Sequence, residues 1–238
     1  MSTFLLAHGA WHGGWYYQRV AQSLRSNDHI VFTPTYTGLG ERSHLFDPSI
    51  NLDTHVQDII NVIKWEDLDD FVLVGHSYGG MVVTGVADLI PEKIHTLVYL
   101  DAFVPENDQC LFDFQPDELR AQKLQEAAAQ NGGLTPISAE SFHVNPGDVD
   151  WVNSKTVLQP IHTMDQPVRL TGGLKRLRRK RVFILASGYS EGPFKPFYEK
   201  LHKDPNWETY EIESGHHIML DKPHELVEIL EGIVSKSS

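Results

Sequence analysis

A glycine-flanked serine stands at Gly75-His76-Ser77-Tyr78-Gly79, directly after the apolar run Phe71-Val72-Leu73-Val74 and directly before Gly80-Met81-Val82-Val83. The physical content of this G-x-S-x-G pattern lies in its flanks. An apolar strand that must reverse sharply into a helix forces the residue between them into a strained backbone conformation, and the glycines let the two elements approach. A serine at the tip of such a turn is raised above the C-terminal edge of a sheet, where a substrate and a histidine from another loop both reach its hydroxyl. The same five letters also arise by chance in glycine-rich turns. The strand before and the helix after give Ser77 the reading of a nucleophile.

A serine hydroxyl at neutral pH is a poor nucleophile and needs a base in hydrogen-bond reach, itself oriented by a carboxylate. Gly215-His216-His217 closes the apolar run Trp207 to Ile212, which puts a histidine on the same sheet edge as Ser77. Two carboxylates compete for the third place. Asp101 ends the run Ile94 to Leu100, and Glu191 lies in the loop Ser187-Gly188-Tyr189-Ser190-Glu191 that follows the run Val182 to Ala186. Adjacent strand ends lie side by side, which favours Asp101; Glu191 serves only if its loop folds inward. A plain capping Asp is the alternative for Asp101. His8 and His12 straddle a glycine loop and bring no cysteine or carboxylate partner, so no metal is implied. Gly38-Leu39-Gly40 lacks the following helix that a phosphate-binding loop demands and reads as a plain loop.

The elements that must position these residues alternate. Thr3 to Ala7 is a strand, a helix runs through Arg25 with Val20 and Leu24 at helical spacing, His29 to Thr33 is a strand, and Pro34 to Pro48 is a loop. Asp53 opens a helix with Val56, Ile59, Ile60 and Ile63 on one face, and Pro223 begins a closing helix with Leu226, Ile229, Leu230 and Ile233. Short apolar strands alternating with helices imply an α/β fold: a mostly parallel sheet with helices on both faces. The rhythm breaks between Ala102 and Lys180. That stretch holds one clear helix, from Pro116 to Ala129 and stopped by Asn131-Gly132-Gly133, and is otherwise irregular. It is too long for a connection between sheet strands. The chain therefore divides into a core of residues 1–101 and 181–238 and a helical cap inserted at 102–180. Phe112, Phe114, Phe142 and Trp151 of the cap either line an apolar pocket or seat the cap on the core.

At 238 residues the chain suits one large domain. Its 20 basic against 32 acidic residues give a formal charge of -12, which repels nucleic acid and anionic membranes. The basic run Lys175 to Arg181 lacks interleaved aromatics and reads as a solvated lead-in to the next strand. No stretch approaches a membrane span, and the N-terminus has no basic segment of a signal peptide. The one cysteine, Cys110, reads as a small apolar residue, and a chain without a disulfide framework fits the cytoplasm.

His8-Gly-Ala-Trp-His-Gly-Gly-Trp15, Gly75-His-Ser-Tyr-Gly-Gly80, Leu97-Val-Tyr-Leu-Asp-Ala-Phe-Val-Pro105 and Gly215-His-His-Ile-Met-Leu220 together resemble the α/β-hydrolase superfamily. Within it they are similar to the small esterases related to plant methylesterases, hydroxynitrile lyases, and bacterial carboxylesterases and pyrethroid hydrolases. The resemblance covers nearly the whole chain. It implies the chain order Ser, acid, His, with His216 as base because it directly follows Gly215. It also implies an oxyanion hole from the backbone N–H groups of Ala10 and Tyr78, and no cofactor. The sequence departs from the plant members in the loop at Tyr189-Ser190-Glu191, where they carry Asp, and from the lyases at Gly9, where they place a polar side chain. The implied function is a serine carboxylesterase acting on small apolar esters. A lyase on the same scaffold and a slow-turnover ligand-binding protein are the alternatives. The expected partner is a small ester, with no nucleic acid and no membrane, and a second copy of the chain as a candidate for a homodimer.

Overall fold

In the computed structural model, which describes residues 1–177 and 181–235, the first apolar run forms strand β1 (Thr3–Ala7), buried from Phe4 onward. Helix α1 (Gln18–Ser26) buries Val20, Ala21 and Leu24 and leads into the short strand β2 (Ile30–Phe32). The loop from Pro34 to Pro48 is less plain than its sequence suggests: Gly40–Leu45 winds into a 3-10 turn. Helix α2 (Leu52–Trp65) begins one residue before the expected opener. Its cap is Asn51, not Asp53: Asn51 is extended, its side-chain oxygen accepts the Thr54 N–H at 3.0 Å, and its own N–H reaches Thr54 Oγ1. Val56, Ile59 and Ile63 are buried on the inner face, with Ile60 half-buried at its margin.

Strand β3 (Phe71–Ser77) is buried along its length except at Ser77, and helix α3 (Gly79–Leu89) follows after one residue. Strand β4 (Ile94–Ala102) comes next. The inserted stretch then forms α4 (Asp117–Ala129), the two-residue strand β5 (Gly133–Leu134), α5 (Val149–Asn153), the two-residue strand β6 (Gln159–Pro160) and α6 (His162–Asp165). β5 and β6 pair antiparallel, apart from the main sheet. The chain re-enters the core with β7 (Arg181–Ala186), α7 (Lys195–Leu201), β8 (Trp207–Ile212), α8 (Ile218–Asp221) and α9 (Pro223–Ser235). Of the basic run, Arg178, Arg179 and Lys180 lie outside the described residues; Arg181 opens β7 with its guanidinium over the Trp207 ring.

The main sheet has six strands in the order β2-β1-β3-β4-β7-β8, every neighbouring pair parallel. α1 packs against α9, and α2 against α3. Right-handed crossovers place these two pairs on opposite faces. Parallel strands covered on both faces must be apolar throughout, and Phe71–Val74 and Leu97–Leu100 are buried accordingly. The strand order sets β3 and β4 side by side at the centre, with β7 and β8 next. The C-terminal ends of these four strands share one edge, where open α/β sheets bind their ligands.

Candidate active site

Ser77 ends β3 with a left-handed backbone, φ 54°. A serine held there is strained by about 1–3 kcal/mol, and the surroundings hold it: the Ser77 carbonyl accepts the Phe103 N–H at 3.2 Å, and the Tyr78 carbonyl accepts the Met81 N–H at 2.9 Å. The turn closes because its flanks lack side chains. A Cβ on Gly79 would lie 2.8 Å from the His8 carbonyl oxygen, and one on Gly80 only 2.1 Å from that of Phe103. Gly9, in the loop after β1, is equally constrained: its Cβ would stand 3.2 Å from Ser77 Cβ and 2.9 Å from His76 Nδ1. That contact brings the β1 loop against the serine. Among the described residues, neither the Ala10 N–H nor the Tyr78 N–H donates to a protein acceptor. Tyr78 also precedes α3, whose N-terminus favours negative charge.

His216 follows β8, and its Nδ1 lies 2.6 Å from Asp101 Oδ2. A carboxylate only accepts, so Nδ1 carries the proton and Nε2 is the basic nitrogen of the ring. Asp101 sits near the end of β4 with φ 43°, and its other oxygen accepts the Ala186 N–H from β7 at 3.1 Å. Burial raises the Asp101 carboxyl above its ordinary value against the opposing pull of these bonds. Both side chains are almost wholly sequestered. The His216 ring stacks on Phe194 at 5.0 Å and 6° between planes, and meets the His76 ring at 4.4 Å with the planes tilted by 38°. Phe142 and Tyr189 also flank it, each at 5.2 Å. Its backbone is held as firmly: the His216 N–H donates to the Phe142 carbonyl at 2.9 Å, and His76 Nε2–H donates to the His216 carbonyl at 3.0 Å. His76 therefore ties the base to the residue beside the serine.

The Alpha/beta hydrolase family model matches residues 4–229. The chain belongs to the alpha/beta hydrolase family. It is 46% identical over 239 residues to a carbendazim hydrolyzing esterase of Nocardioides sp. (strain SG-4G), covering 97% of this chain and 98% of the relative. It is 25% identical to methylesterase 10 of Arabidopsis thaliana, covering 98% and 92% of the two chains. Among solved structures, an extracellular alpha/beta-hydrolase from a Paenibacillus species superposes with a TM-score of 0.84 at 23% identity, covering 98% of each chain. The chain is a hydrolase of this family's esterase group.

Within this α/β hydrolase the candidates separate cleanly. Asp101 is bonded to His216, whereas Glu191 is exposed and lies 3.7 Å from His143 Nε2. The loop after β7 packs Tyr189 and Phe194 on the His216 ring but turns Glu191 out to solvent, so the carboxylate that reaches His216 is Asp101 of β4. His217 is buried edge-on against His12 and Tyr16, and burial holds its pKa well below the ordinary histidine value. His8 and His12 are likewise kept neutral, lowered by burial to about 3 and about 4. No group of three or more His, Cys, Asp or Glu side chains among the described residues is arranged to hold a metal ion. No helix among them is long and apolar enough to cross a membrane. Cys110 is buried with its thiol free.

The cap aromatics divide by role. Phe114 stacks on Phe103, which packs on Phe194 beside His216, so an apolar wall runs outward from the base. Trp151 instead meets Trp15 edge-on, with Lys155 Nζ 5.0 Å above both rings, and seats the cap. Sequence reasoning missed His76, Phe142 and Phe194 as supports of His216. His76 had a signal in its place beside the serine, and Phe142 in its place among the aromatics of the inserted stretch; Phe194, in the loop after β7, had none.

Proposed function

We propose that the chain hydrolyses small, neutral, apolar carboxylic esters by acyl transfer through Ser77, with His216 as base and Asp101 as the acid of the triad. His216 Nε2 takes the Ser77 proton as Oγ attacks the ester carbonyl, and the Ala10 and Tyr78 N–H groups receive the developing oxyanion. The protonated ring returns that proton to the departing alcohol oxygen as the ester C–O bond breaks, leaving an acyl-enzyme. Water, deprotonated by His216, attacks the acyl carbon; the proton passes to Ser77 Oγ and the carboxylic acid is released.

The observation that carries this reading is the Asp101–His216 bond at 2.6 Å on the same sheet edge as a serine held at φ 54°. The unspent N–H groups of Ala10 and Tyr78 support it, and the Phe194–Phe103–Phe114 wall supports an apolar substrate. A lyase reading is disfavoured at Gly9, where a side chain would collide with His76. The lone buried Cys110 supports cytoplasmic residence as part of the same proposal.

The test is hydrolysis of a p-nitrophenyl ester series by wild type and Ser77→Ala, with carbendazim as a further substrate, and mass spectrometry of the rapidly quenched protein. Turnover abolished in the variant, with an acyl mass adduct on the wild type only, is expected. Equal turnover in both proteins refutes the serine mechanism. Cleavage that needs Ser77 but leaves no adduct favours a lyase-type role for the same residues.

A further inference from the structure

Trp11, the residue after Ala10, has a left-handed backbone at φ 63°. For a bulky residue this backbone is strained and persists only where the surroundings over-determine it. The determinants are the cap's. The Trp11 N–H donates to Gln159 Oε1 at 2.8 Å, its carbonyl accepts the Val157 N–H at 3.1 Å, and its indole Nε1–H donates to the Leu134 carbonyl at 3.2 Å. Leu134 and Gln159 are partners in the β5–β6 ladder, so one small piece of cap grips one core residue at three points.

Two successive peptides are thereby oriented. The Ala10–Trp11 peptide is held at both poles, its carbonyl accepting from His12 Nδ1–H and its N–H donating to Gln159. The preceding peptide, which carries the Ala10 N–H, is held only by its carbonyl: Gly9 C=O accepts from His8 Nδ1–H at 2.7 Å. In a planar trans peptide the N–H points opposite to the carbonyl, so this grip turns the Ala10 N–H away from His8 and leaves it free. Rotation about Ala10 is blocked only while the next peptide stays fixed. Gln159 is suited to fixing it: it is fully buried, and its Nε2 donates to Thr163 Oγ1 at 2.6 Å while Thr163 donates to the Pro160 carbonyl, so the amide cannot turn over.

We infer that Gln159 is a positioning residue for the oxyanion hole: through the Trp11 N–H it locks the strained loop in which the Ala10 amide is available, so the cap completes the catalytic site of the core. This rests on the serine acyl-transfer reading above. A loop released from Gln159 relaxes Trp11 toward ordinary φ and swings the Ala10 amide, weakening transition-state binding more than substrate binding.

The test compares wild type, Gln159→Leu, Gln159→Glu, Thr163→Val and Ser77→Ala on p-nitrophenyl butyrate, each normalised by active-site titration, together with inhibition by an alkyl trifluoromethyl ketone, whose adduct with serine carries the oxyanion. Gln159→Leu is expected to lower kcat about 10–100-fold with KM within about twofold, and to weaken the ketone by the same factor, the loss of a whole donor being about 10²–10³. Gln159→Glu keeps an acceptor at Trp11 and is expected to recover most of kcat. Unchanged kcat per titrated site in Gln159→Leu, with only a lower melting temperature, makes Gln159 a packing residue and overturns the inference. If Gln159→Leu does not fold, Thr163→Val, which strips Gln159 Nε2 of its acceptor, decides by the same kcat-against-KM split. Wild-type turnover in Ser77→Ala overturns the serine reading and this inference with it; a dead Ser77→Ala beside an unaffected Gln159→Leu overturns this inference alone.

Discussion

Asp101→Asn separates the activity of this site from its stability. Asp101 is a wholly buried carboxylate that accepts from His216 Nδ1 at 2.6 Å and from the Ala186 N–H at 3.1 Å. An asparagine of the same shape can accept from Ala186 and donate its amide to His216 Nδ1. That donation moves the ring proton to Nε2, where the base should be free. The charge is lost as well: two unit charges about 4 Å apart interact by about 4 kcal/mol at an effective dielectric near 20, about three decades of rate. With the wrong tautomer added, kcat is expected to fall about 10³–10⁴-fold. Stability is expected to move the other way. Burial raises the Asp101 carboxyl above its unfolded value, so the folded chain holds that proton more tightly than the unfolded one. Stability therefore falls as pH rises from the unfolded value through the raised one, and at neutral pH the full cost is present. Removing the charge should leave the melting temperature at pH 7 equal to or above wild type. The assay is kcat on p-nitrophenyl butyrate beside a thermal melt, with Glu191→Gln as the control expected within about twofold of wild type, as an exposed group. Retention of kcat within about tenfold in a folded Asp101→Asn refutes the assignment of the acid. A melting temperature lower by more than about 5 °C refutes the argument from burial.

Gly9→Ala places a Cβ 2.9 Å from His76 Nδ1 and 3.2 Å from Ser77 Cβ, so thermal or urea unfolding should show a loss of about 1–3 kcal/mol and kcat should fall at least tenfold. Asn51→Ala removes the capping box of α2 and should cost about 1 kcal/mol in urea melts with kcat within about twofold of wild type. Acid unfolding should be early and steep. His8 and His55 are lowered to about 3 and His12 to about 4, and His76 and His217 well below the ordinary value, all by burial. Histidines kept neutral in the fold contribute stability that is present above the unfolded pKa near 6.5 and lost as pH falls toward the folded values. Five of them together give a slope of about 7 kcal/mol per pH unit well below 6.5, enough to exhaust a stability of about 5–15 kcal/mol before pH 4. A circular-dichroism titration that stays native to pH 3.5 would contradict the burial of this cluster.

Residues adjacent in the chain carried most of what could be read without coordinates. The strand, Ser77 and the helix of the elbow are contiguous, so hydrophobic periodicity and three glycines suffice to mark them, and the same holds for β8 followed by His216. The break in the strand–helix rhythm was legible too, since the main sheet resumes only at β7. Boundaries were less so: Asn51 rather than Asp53 caps α2 because its side chain reaches the Thr54 amide, a matter of one residue's backbone angle.

Sequence by itself determined that this is an α/β hydrolase with a serine and a histidine on one sheet edge, because those residues sit at the ends of their own strands. Which carboxylate joins them was decided only by tertiary structure. Asp101 and Glu191 are both near strand ends, but the strand order β4-β7-β8 and the course of the β7 loop bring one to His216 and leave the other in solvent. The grip on Trp11 is likewise tertiary: its partners lie 123 to 148 residues away in the side-chain bonds, and no local pattern encodes a contact that exists only once the cap has docked.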